Sequence, residues 1–206
     1  MNIRLANNLD INAITDLHCI SFTIHDHVPM MLGRNYVKST YRWLINSNQS
    51  YVLVSIIDNE IAGVVAVCDG PFTKPMFIAC LPSFIRSILI SPNRLFNRLL
   101  WNRLFRKAET PEGHKLENLP GFAQMTIGIV DPKHRGKGVF SKLIEETKNQ
   151  CRTRGSKLLR AGIYKVNNSS RKTFINAGWP ELKQLETSDT VFYAAFITDE
   201  YYSLFF

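Results

Sequence analysis

Several residue patterns that define common protein classes are missing from this chain. Its four cysteines (Cys19, Cys68, Cys80 and Cys151) have no Cys-x-x-Cys spacing and no regular interval, which argues against a zinc site or a disulfide framework and favours a reducing compartment. We find no apolar run of the roughly 18 residues that cross a bilayer, and residues 1–4 begin a strand-like segment rather than a signal peptide. We therefore expect a cytoplasmic protein with no bound metal.

Acidic residues are missing from one long segment of a chain that is basic overall. The net charge is +8, yet the span from 74 to 107 has no acidic residue and seven basic ones: Lys74, Arg86, Arg94, Arg98, Arg103, Arg106 and Lys107. We predict one or two short helices in this segment, including residues 93–107. Three roles fit it: a packed subdomain whose arginines reach solvent, a lid over a substrate, or a contact with an anionic partner such as an acyl carrier protein or a membrane surface.

The rest of the chain alternates between strand-like and helix-like patterns. Strands are predicted at residues 2–6, 51–57, 60–67, 124–130, 157–164, 183–186 and 190–197, and the pair at 51–67 forms a hairpin around Asp58-Asn59. Helices are predicted at about 11–22, 31–46, 139–153 and 169–176. Such interleaving favours an α/β sheet covered by helices on both faces, within a single domain of residues 1–206.

A glycine-containing basic turn joins the strand at 124–130 to the helix that follows it. Residues 130–140 read Val-Asp-Pro-Lys-His-Arg-Gly-Lys-Gly-Val-Phe. The first N–H groups of a helix lack internal partners and the helix dipole is positive there, while Gly136 and Gly138 let the backbone approach a ligand closely. The turn is therefore suited to a phosphate or pyrophosphate, although its spacing is neither that of a P-loop nor Gly-x-Gly-x-x-Gly.

The residues of this turn resemble the coenzyme A pyrophosphate loop of the GNAT superfamily of acyl-CoA-dependent N-acyltransferases. The family pattern Arg/Gln-x-x-Gly-x-Gly/Ala is matched by Arg135 and Gly138, whereas Phe140 stands where a small residue is usual. A second segment, residues 167–179, is similar to the family's Asn…Tyr…Gly-Phe segment, with Trp179 in place of the final Phe. The resemblance is sharp over about residues 121–180 and looser over 1–70.

The resemblance implies a mixed, mostly antiparallel central sheet with helices on both faces. It also implies a helical insertion at about 71–120, because the family usually joins the two flanking strands by a short turn. Backbone and side-chain contacts to the coenzyme A thioester, with acetyl-CoA as the acyl donor, would come from the loop, the preceding strand and the helix after the next strand: Ile129, Val130, Arg135, Gly136, Lys137, Gly138, Val139, Phe140, Asn168 and Arg171.

Proton transfer is where the sequence departs most from the family. Many members place a tyrosine five residues before the final aromatic to protonate the leaving thiolate, and here that residue is Phe174. Tyr164 is a candidate substitute as general acid. His25 and His27, in a loop where family members often line the acceptor pocket, are candidate general bases. A solvated turn with Asp26 as a helix cap fits that loop equally well, and His-x-His without further ligands is a weak metal signal.

The sequence therefore predicts an N-acyltransferase that transfers an acyl group, most simply acetyl, from coenzyme A to the amine of a small molecule such as an amino sugar or an amino acid derivative. One alternative is an acyltransferase that uses a long-chain or carrier-protein thioester. Another is a non-catalytic sensor that binds coenzyme A. Nucleic-acid binding would fit the charge alone, but the basic span is heavily aliphatic and has no recognised nucleic-acid motif. The oligomeric state is not predicted.

Overall fold

A six-stranded mixed sheet forms the centre of the protein. The structure is a computed structural model and describes residues 1–23, 27–105 and 111–205, without the side chains of 103–105 and 111. The strands follow one another across the sheet in chain order, antiparallel except for the β4–β5 pair. They are β1 (Asn2–Leu5), β2 (Ser50–Ile57), β3 (Glu60–Asp69), β4 (Phe122–Val130), β5 (Leu158–Tyr164) and β6 (Thr190–Phe196). The predicted mostly antiparallel sheet is confirmed.

Eight α-helices surround this sheet in the described part of the chain. They are α1 (Ile11–Ser21), α2 (Val28–Leu32), α3 (Arg34–Asn46), α4 (Thr73–Ile90), α5 (Arg98–Phe105), α6 (Pro111–Glu117), α7 (Val139–Thr153) and α8 (Asn168–Asn176). One apolar cluster joins the sheet to α7 and α8, and a second joins it to α1 and α3. Because side chains alternate between the faces of a strand, these two clusters lie on opposite faces of the sheet. Helices therefore cover both faces, as predicted.

The β2–β3 hairpin turns at Asp58 and Asn59, the only described residues other than glycine with positive φ, at 50° and 63°. Two consecutive residues in this region are what a tight hairpin turn requires, and Asn and Asp tolerate it better than most residues. The predicted hairpin is confirmed, and it pairs β2 with β3 in the sheet.

Three predicted elements differ from the structure. The predicted helix at 31–46 is two helices, because Gly33, with φ of 92°, ends α2 and precedes α3. Residues 183–186, predicted as a strand, form a 3-10 turn at Lys183–Leu185. The segment 93–107 is not one helix: a 3-10 turn at Pro92–Phe96 precedes α5. Residues 106–110 lie outside the described part of the chain.

Residues between β3 and β4 form a helical lobe with α2 and α3, and we use that name for α2, α3, α4, the turn at 92–96 and α5. The interior of this helical lobe is apolar and includes Met31, Leu32, Tyr36, Cys80 and Leu100. By length and composition α4 is the one helix among the described residues that is long and apolar enough to cross a membrane, which corrects the expectation that no such run exists. Packing and hydrogen bonds hold α4 on α2 and α3, as described below.

The end of the described chain packs against the protein itself. The Tyr201 hydroxyl donates to the carbonyl of Pro120 at 2.8 Å, and the Phe205 ring lies 5.7 Å from that of Phe196. Phe206 lies outside the described residues.

Candidate active site

The sheet opens between β4 and β5. Parallel pairing joins only Phe122–Met125 to residues 158–161, and beyond those positions β4 pairs with β3 alone and β5 with β6 alone. Thr126, at the point of separation, is an extra residue in β4, because Ala66 faces Ile127 while the next residue of β3 faces Met125. Such a bulge bends a strand and ends its regular pairing. Backbone groups of β4 after residue 126 therefore border an opening in the sheet.

The basic turn lies where β4 ends and α7 begins. The Asp131 carboxylate accepts a hydrogen bond from the N–H of Lys133 at 2.8 Å and caps a short 3-10 turn, and the Arg135 guanidinium donates to the carbonyl of Val130 at 3.3 Å. Gly136 and Gly138 have φ of 73° and 75°, a conformation that disfavours other residues. These contacts fold the turn back on β4, so that residues 135–138 are exposed in front of α7.

Within the described part of the chain, no side chain caps the start of α7. Its N-cap residue is Gly138, whereas the shorter α8 is capped by Asn167, whose side-chain oxygen accepts from the N–H of Ser170 at 3.1 Å. The N–H groups of the first turn of α7 are therefore left to solvent or to a ligand. A Cβ placed on Gly136 or on Gly138 would have no atom within 4 Å, so the backbone of this turn is accessible as well. An exposed, uncapped N-terminus among Lys133, His134, Arg135 and Lys137 is suited to a phosphate group.

Phe140, in the first turn of α7, packs directly on β4. A Cβ added to Gly128 would come within 2.8 and 2.9 Å of two atoms of the Phe140 ring, so this ring fills the space that a side chain at 128 would need. The departure from the family pattern at Phe140 is therefore accompanied by a glycine on the facing strand. The pair keeps α7 close to β4 at the opening of the sheet.

Phe174 lies in a buried aromatic cluster next to this pair. Its ring centroid is 5.8 Å from that of Phe140, 4.9 Å from Trp179 and 5.7 Å from Tyr193, to which it is nearly parallel. No atom of Phe174 is exposed. The Arg171 guanidinium points to the Tyr193 hydroxyl at 3.4 Å. A phenol is thus present in this cluster, but it comes from β6 rather than from α8.

The two predicted ligand residues of α8 have different surroundings. Asn168 is the first residue of the helix and is exposed, which leaves its amide accessible. Arg171 is half-buried, and besides Tyr193 its guanidinium approaches the carbonyl of Lys165 at 3.5 Å. In this arrangement Arg171 is oriented towards β6, and contact with a phosphate would require another rotamer.

Tyr164 and Phe174 belong to opposite faces of the sheet. Ile163 packs in the cluster of the α7 and α8 face, so the next residue of β5, Tyr164, points to the other face. Half of the Tyr164 side chain is exposed (51%), in contrast to the buried tyrosine that a purely structural role would favour. Its hydroxyl is accessible from the face that carries α1 and α3.

Of the two predicted histidines, only His27 lies within the described residues; His25 and Asp26 do not. The His27 ring packs edge-on against His18 and Phe22, with centroids 4.7 Å apart in both cases. His18 is buried, and its Nδ1 is 2.8 Å from the Tyr41 hydroxyl. Burial, with a smaller effect of His27, lowers the pKa of His18 to about 3, so His18 is neutral near pH 7. The structure thus places His27 beside a neutral His18–Tyr41 pair.

Comparison with known proteins adds the fold class. No protein-family model and no curated protein matches the chain. Solved structures do match over nearly its whole length. An N-acetyltransferase from Staphylococcus aureus Mu50 is 14% identical over 96% of this chain and 98% of that chain, with a TM-score of 0.57. A ribosomal-protein-alanine N-acetyltransferase from Brucella melitensis is 17% identical over 95% and 99%, with a TM-score of 0.58. The GNAT domain of S. lividans PAT is 15% identical over 94% and 89%, with a TM-score of 0.61.

These similarities establish a fold. The chain, with its six-stranded, mostly antiparallel sheet covered by helices on both faces, matches those acetyltransferases over nearly its whole length. The chain therefore has the fold of the GNAT superfamily, and the predicted resemblance is confirmed at that level. At these sequence identities, a shared fold does not identify the substrates of this protein.

The structure adds three residues that the sequence analysis did not single out as parts of the site. They are Gly128, which accommodates Phe140; Tyr193, the buried phenol beside Phe174; and His18, the neutral neighbour of His27. A glycine inside a strand often marks a place where another group approaches the backbone closely, so Gly128 could have been recognised from the sequence. Tyr193 and His18 could not be recognised in this way, because a tyrosine in a strand and a histidine in an amphipathic helix have the pattern of ordinary core residues.

Proposed function

We propose that this protein is an acyl-CoA-dependent N-acyltransferase with acetyl-CoA as its donor. The observation that carries the proposal is the uncapped N-terminus of α7, which lies beside the opening between β4 and β5 and is preceded by an exposed basic turn. The turn suits the pyrophosphate, and the opening offers unpaired backbone of β4 to an extended pantetheine arm. The GNAT fold of the neighbouring structures supports the same assignment.

In this proposal, different residues around the opening contact different parts of coenzyme A. Backbone N–H groups from Arg135 to Phe140 would hold the pyrophosphate, and the Arg135 and Lys137 side chains would add charge-assisted contacts. Ile129 and Val130 would pair through their backbone with the pantetheine arm as an added strand, and Asn168 would reach the same arm. Arg171 would contribute only after turning away from Tyr193.

The reaction needs a neutral amine, a stabilised oxyanion and a leaving thiolate. The amine nitrogen attacks the thioester carbonyl carbon, the carbonyl oxygen becomes an oxyanion, and the carbon–sulfur bond then breaks to give the amide and coenzyme A thiolate. A main-chain N–H near Val130 would stabilise the oxyanion. Phe174 supplies no proton, so the thiolate leaves unaided or takes a proton from a tyrosine such as Tyr164. A thiolate is a tolerable leaving group at neutral pH.

The amine must lose a proton before or during attack, and the α1–α2 connection is our proposed source of the base. His27 packs against the neutral His18, which belongs to the α1 face of the sheet, where the Tyr164 hydroxyl is also accessible. A histidine there would accept the amine proton directly or through water. His25 remains a candidate for the same role.

The proposed acceptor is an amine on a small molecule, such as an amino sugar or an amino acid derivative. The excess of 25 basic over 17 acidic residues disfavours a polycationic acceptor and favours an anionic one, such as a nucleotide-linked amino sugar. The alternatives are a longer acyl donor, and a coenzyme A sensor in which Phe140 and Phe174 mark lost catalysis.

The first test is calorimetric titration of acetyl-CoA into the wild-type protein and into the Arg135→Glu variant, with Lys183→Glu as the matched control for charge reversal. Lys183 is exposed in the 3-10 turn after α8. We expect micromolar binding that is weakened by about a hundredfold or more in Arg135→Glu, since one phosphate contact is lost and repulsion is introduced. Binding that is absent from the wild type, or equal in both variants, would overturn the proposed site.

Turnover separates the three functions once binding is established. Release of free thiol from acetyl-CoA, measured over a panel of amines, is expected for the acetyltransferase. Release only from long-chain or carrier-protein thioesters would support the first alternative. Binding of coenzyme A without thiol release on any amine or donor would support the sensor.

A further inference from the structure

One side of α4 presents large apolar side chains to solvent. Phe77, Ile78, Leu81, Ile85 and Leu89 are all exposed, Leu89 to 74%. From Ile78 onward they are three or four residues apart, so they form one continuous face along about three turns of the helix. We call these five residues the outer face of α4.

The opposite side of α4 is fixed to the helical lobe and prevents the outer face from turning inward. Cys80 and Ser87 are its buried residues, and the Ser87 hydroxyl donates to the carbonyl of Leu32 at 2.5 Å. Ser83 is hydrogen-bonded to Ser39 of α3, and the Arg94 guanidinium donates to the carbonyl of Ser87 at 2.8 Å. Among the described residues, α4 therefore packs its inner side on the helical lobe, while its outer face stays exposed apart from the contact of Phe77 with Phe84.

Further large apolar side chains are exposed in the segment that follows α4. Leu95 and Phe96 in the following 3-10 turn and Leu99 at the start of α5 are also exposed, Phe96 to 85%. Soluble proteins rarely expose a contiguous apolar surface of more than a few hundred Å², and larger ones mark interaction sites. Eight large apolar side chains in one structural unit point to such a site.

The helical lobe also lacks negative charge. The sequence has no acidic residue in 27–57 or in 70–105, and these two ranges contain eight basic ones: Arg34, Lys38, Arg42, Lys74, Arg86, Arg94, Arg98 and Arg103. Lys74 falls on the same side of α4 as the outer face, Arg86 lies at one border of it, and Arg98 is on the continuing segment; all three are exposed. The apolar surface is thus accompanied by positive charge alone.

We propose that the outer face of α4, together with Leu95, Phe96 and Leu99, docks on the surface of an anionic lipid bilayer. The apolar side chains enter the boundary between headgroups and acyl chains, and Lys74, Arg86 and Arg98 contact the anionic headgroups. α4 lies in the plane of the interface and does not span the bilayer, because its other side is held by α2 and α3. This surface is independent of the coenzyme A site.

A lipid surface fits these residues better than an acidic protein does. A carrier protein would be recognised mainly through charge pairs, whereas only one charged residue, Arg86, lies between residues 75 and 90 of α4. The outer face belongs to a single helix, and all five of its residues are exposed. Protruding aliphatic and aromatic side chains with flanking cations are the features of helices that lie at membrane interfaces.

The test is co-sedimentation of the full chain with vesicles of phosphatidylcholine alone and with vesicles that contain about one third phosphatidylglycerol. We expect binding to the anionic vesicles that is at least about tenfold stronger than to neutral ones, and weaker as salt is raised above about 0.1 M. The decisive variant is Ile85→Glu/Leu89→Glu, and its matched control is Leu9→Glu/Ile20→Glu, which makes the same change at two exposed apolar residues outside the helical lobe.

The expected result is loss of vesicle binding by about tenfold or more in Ile85→Glu/Leu89→Glu and wild-type binding in Leu9→Glu/Ile20→Glu. Circular dichroism melting checks that both variants are folded, and acetyl-CoA titration reports the coenzyme site separately. The proposal is overturned if the wild type does not bind anionic vesicles, or if both variants lose binding equally. Retention on an acidic carrier protein, or concentration-dependent self-association, without vesicle binding would assign the outer face to a protein instead.

Discussion

The two longest helices of this protein, α7 and α4, use their apolar residues in opposite ways. α7 buries one side, with Val139, Leu143, Ile144, Thr147 and Cys151 against the sheet, and its outward side is polar. α4 buries only Cys80 and Ser87 and exposes six large apolar residues, the five of the outer face and Ile90. α7 therefore follows the ordinary pattern of a surface helix, and α4 does not.

The difference separates residues that hold the fold from residues that serve another purpose. Burying a Leu or Ile side chain contributes about 1.5–3 kcal/mol to folding, and the outer face of α4 forgoes most of that in water. The inner side of α7 positions the uncapped N-terminus beside β4, so its packing and the proposed coenzyme A site are linked. The outer face of α4 contributes neither to this packing nor to the proposed coenzyme A site. A binding partner outside the folded chain would explain why its side chains are apolar.

The largest expected effect is on the inner side of α7. Leu143→Ala removes a fully buried side chain from the main cluster, and we expect a loss of about 2–5 kcal/mol in the free energy of unfolding, because a cavity remains where the sheet cannot collapse. Urea unfolding followed by circular dichroism measures it. A loss below about 1 kcal/mol would contradict the view that α7 is held by this cluster.

The next effect concerns the contact between the first turn of α7 and β4. Gly128→Ala puts a Cβ within 3 Å of the Phe140 ring, and we expect it to lower the free energy of unfolding by about 1–3 kcal/mol. In the Phe140→Ala background the same change is expected to cost little, since the ring that it meets is gone. Unfolding of all four proteins in a double-mutant cycle measures the coupling, and equal costs in both backgrounds would refute the contact.

A smaller effect depends on pH and involves the α1 face. Burial lowers the pKa of His18 from 6.5 to about 3, so the folded protein keeps the imidazole neutral while the unfolded chain binds a proton below about 6.5. The unfolded state then holds more protons, and stability falls as pH falls from about 6.5 towards 3, by up to about 1.4 kcal/mol per pH unit. Urea unfolding at pH 7, 6 and 5 is expected to show a steeper slope for the wild type than for His18→Gln. Equal slopes in the two proteins would contradict a His18 that burial keeps neutral.

The elements that the sequence predicted best are those whose pattern is local. The strand, the glycine turn and α7 lie next to one another in the chain, and the apolar period of 139–151 is that of a helix with one buried side. α4 was missed because its apolar residues occupy both sides and show no such period, and because Pro82, which usually interrupts a helix, lies inside it. The strand predicted at residues 183–186 was wrong because so short a segment carries no reliable periodic pattern, and the structure has a 3-10 turn there.

The candidate site also has a part that is local in the sequence and a part that forms only in the folded chain. The glycine-containing basic turn before α7 could be predicted because its glycines and basic residues are contiguous in the chain, and its binding of coenzyme A remains a proposal. Gly128 and Phe140, or His18 and Tyr41, meet only in the folded chain. Groups that transfer protons are assembled by such distant contacts, so the sequence left the base and the acid open. The structure places His27 beside His18 and puts Tyr164 on the same face of the sheet, and the catalytic roles of both remain proposals.

The smallest expected effect gives the sharpest test of the comparison between the two helices. Leu89→Ala is the same substitution as Leu143→Ala, but it removes a side chain that is 74% exposed. We expect the free energy of unfolding to change by less than about 0.5 kcal/mol, because water already surrounds this side chain in the folded state. Urea unfolding of the two variants side by side measures the contrast. A loss above about 1.5 kcal/mol for Leu89→Ala would mean that the outer face of α4 is covered by the protein's own chain in solution, and docking on a lipid surface would then lose its basis.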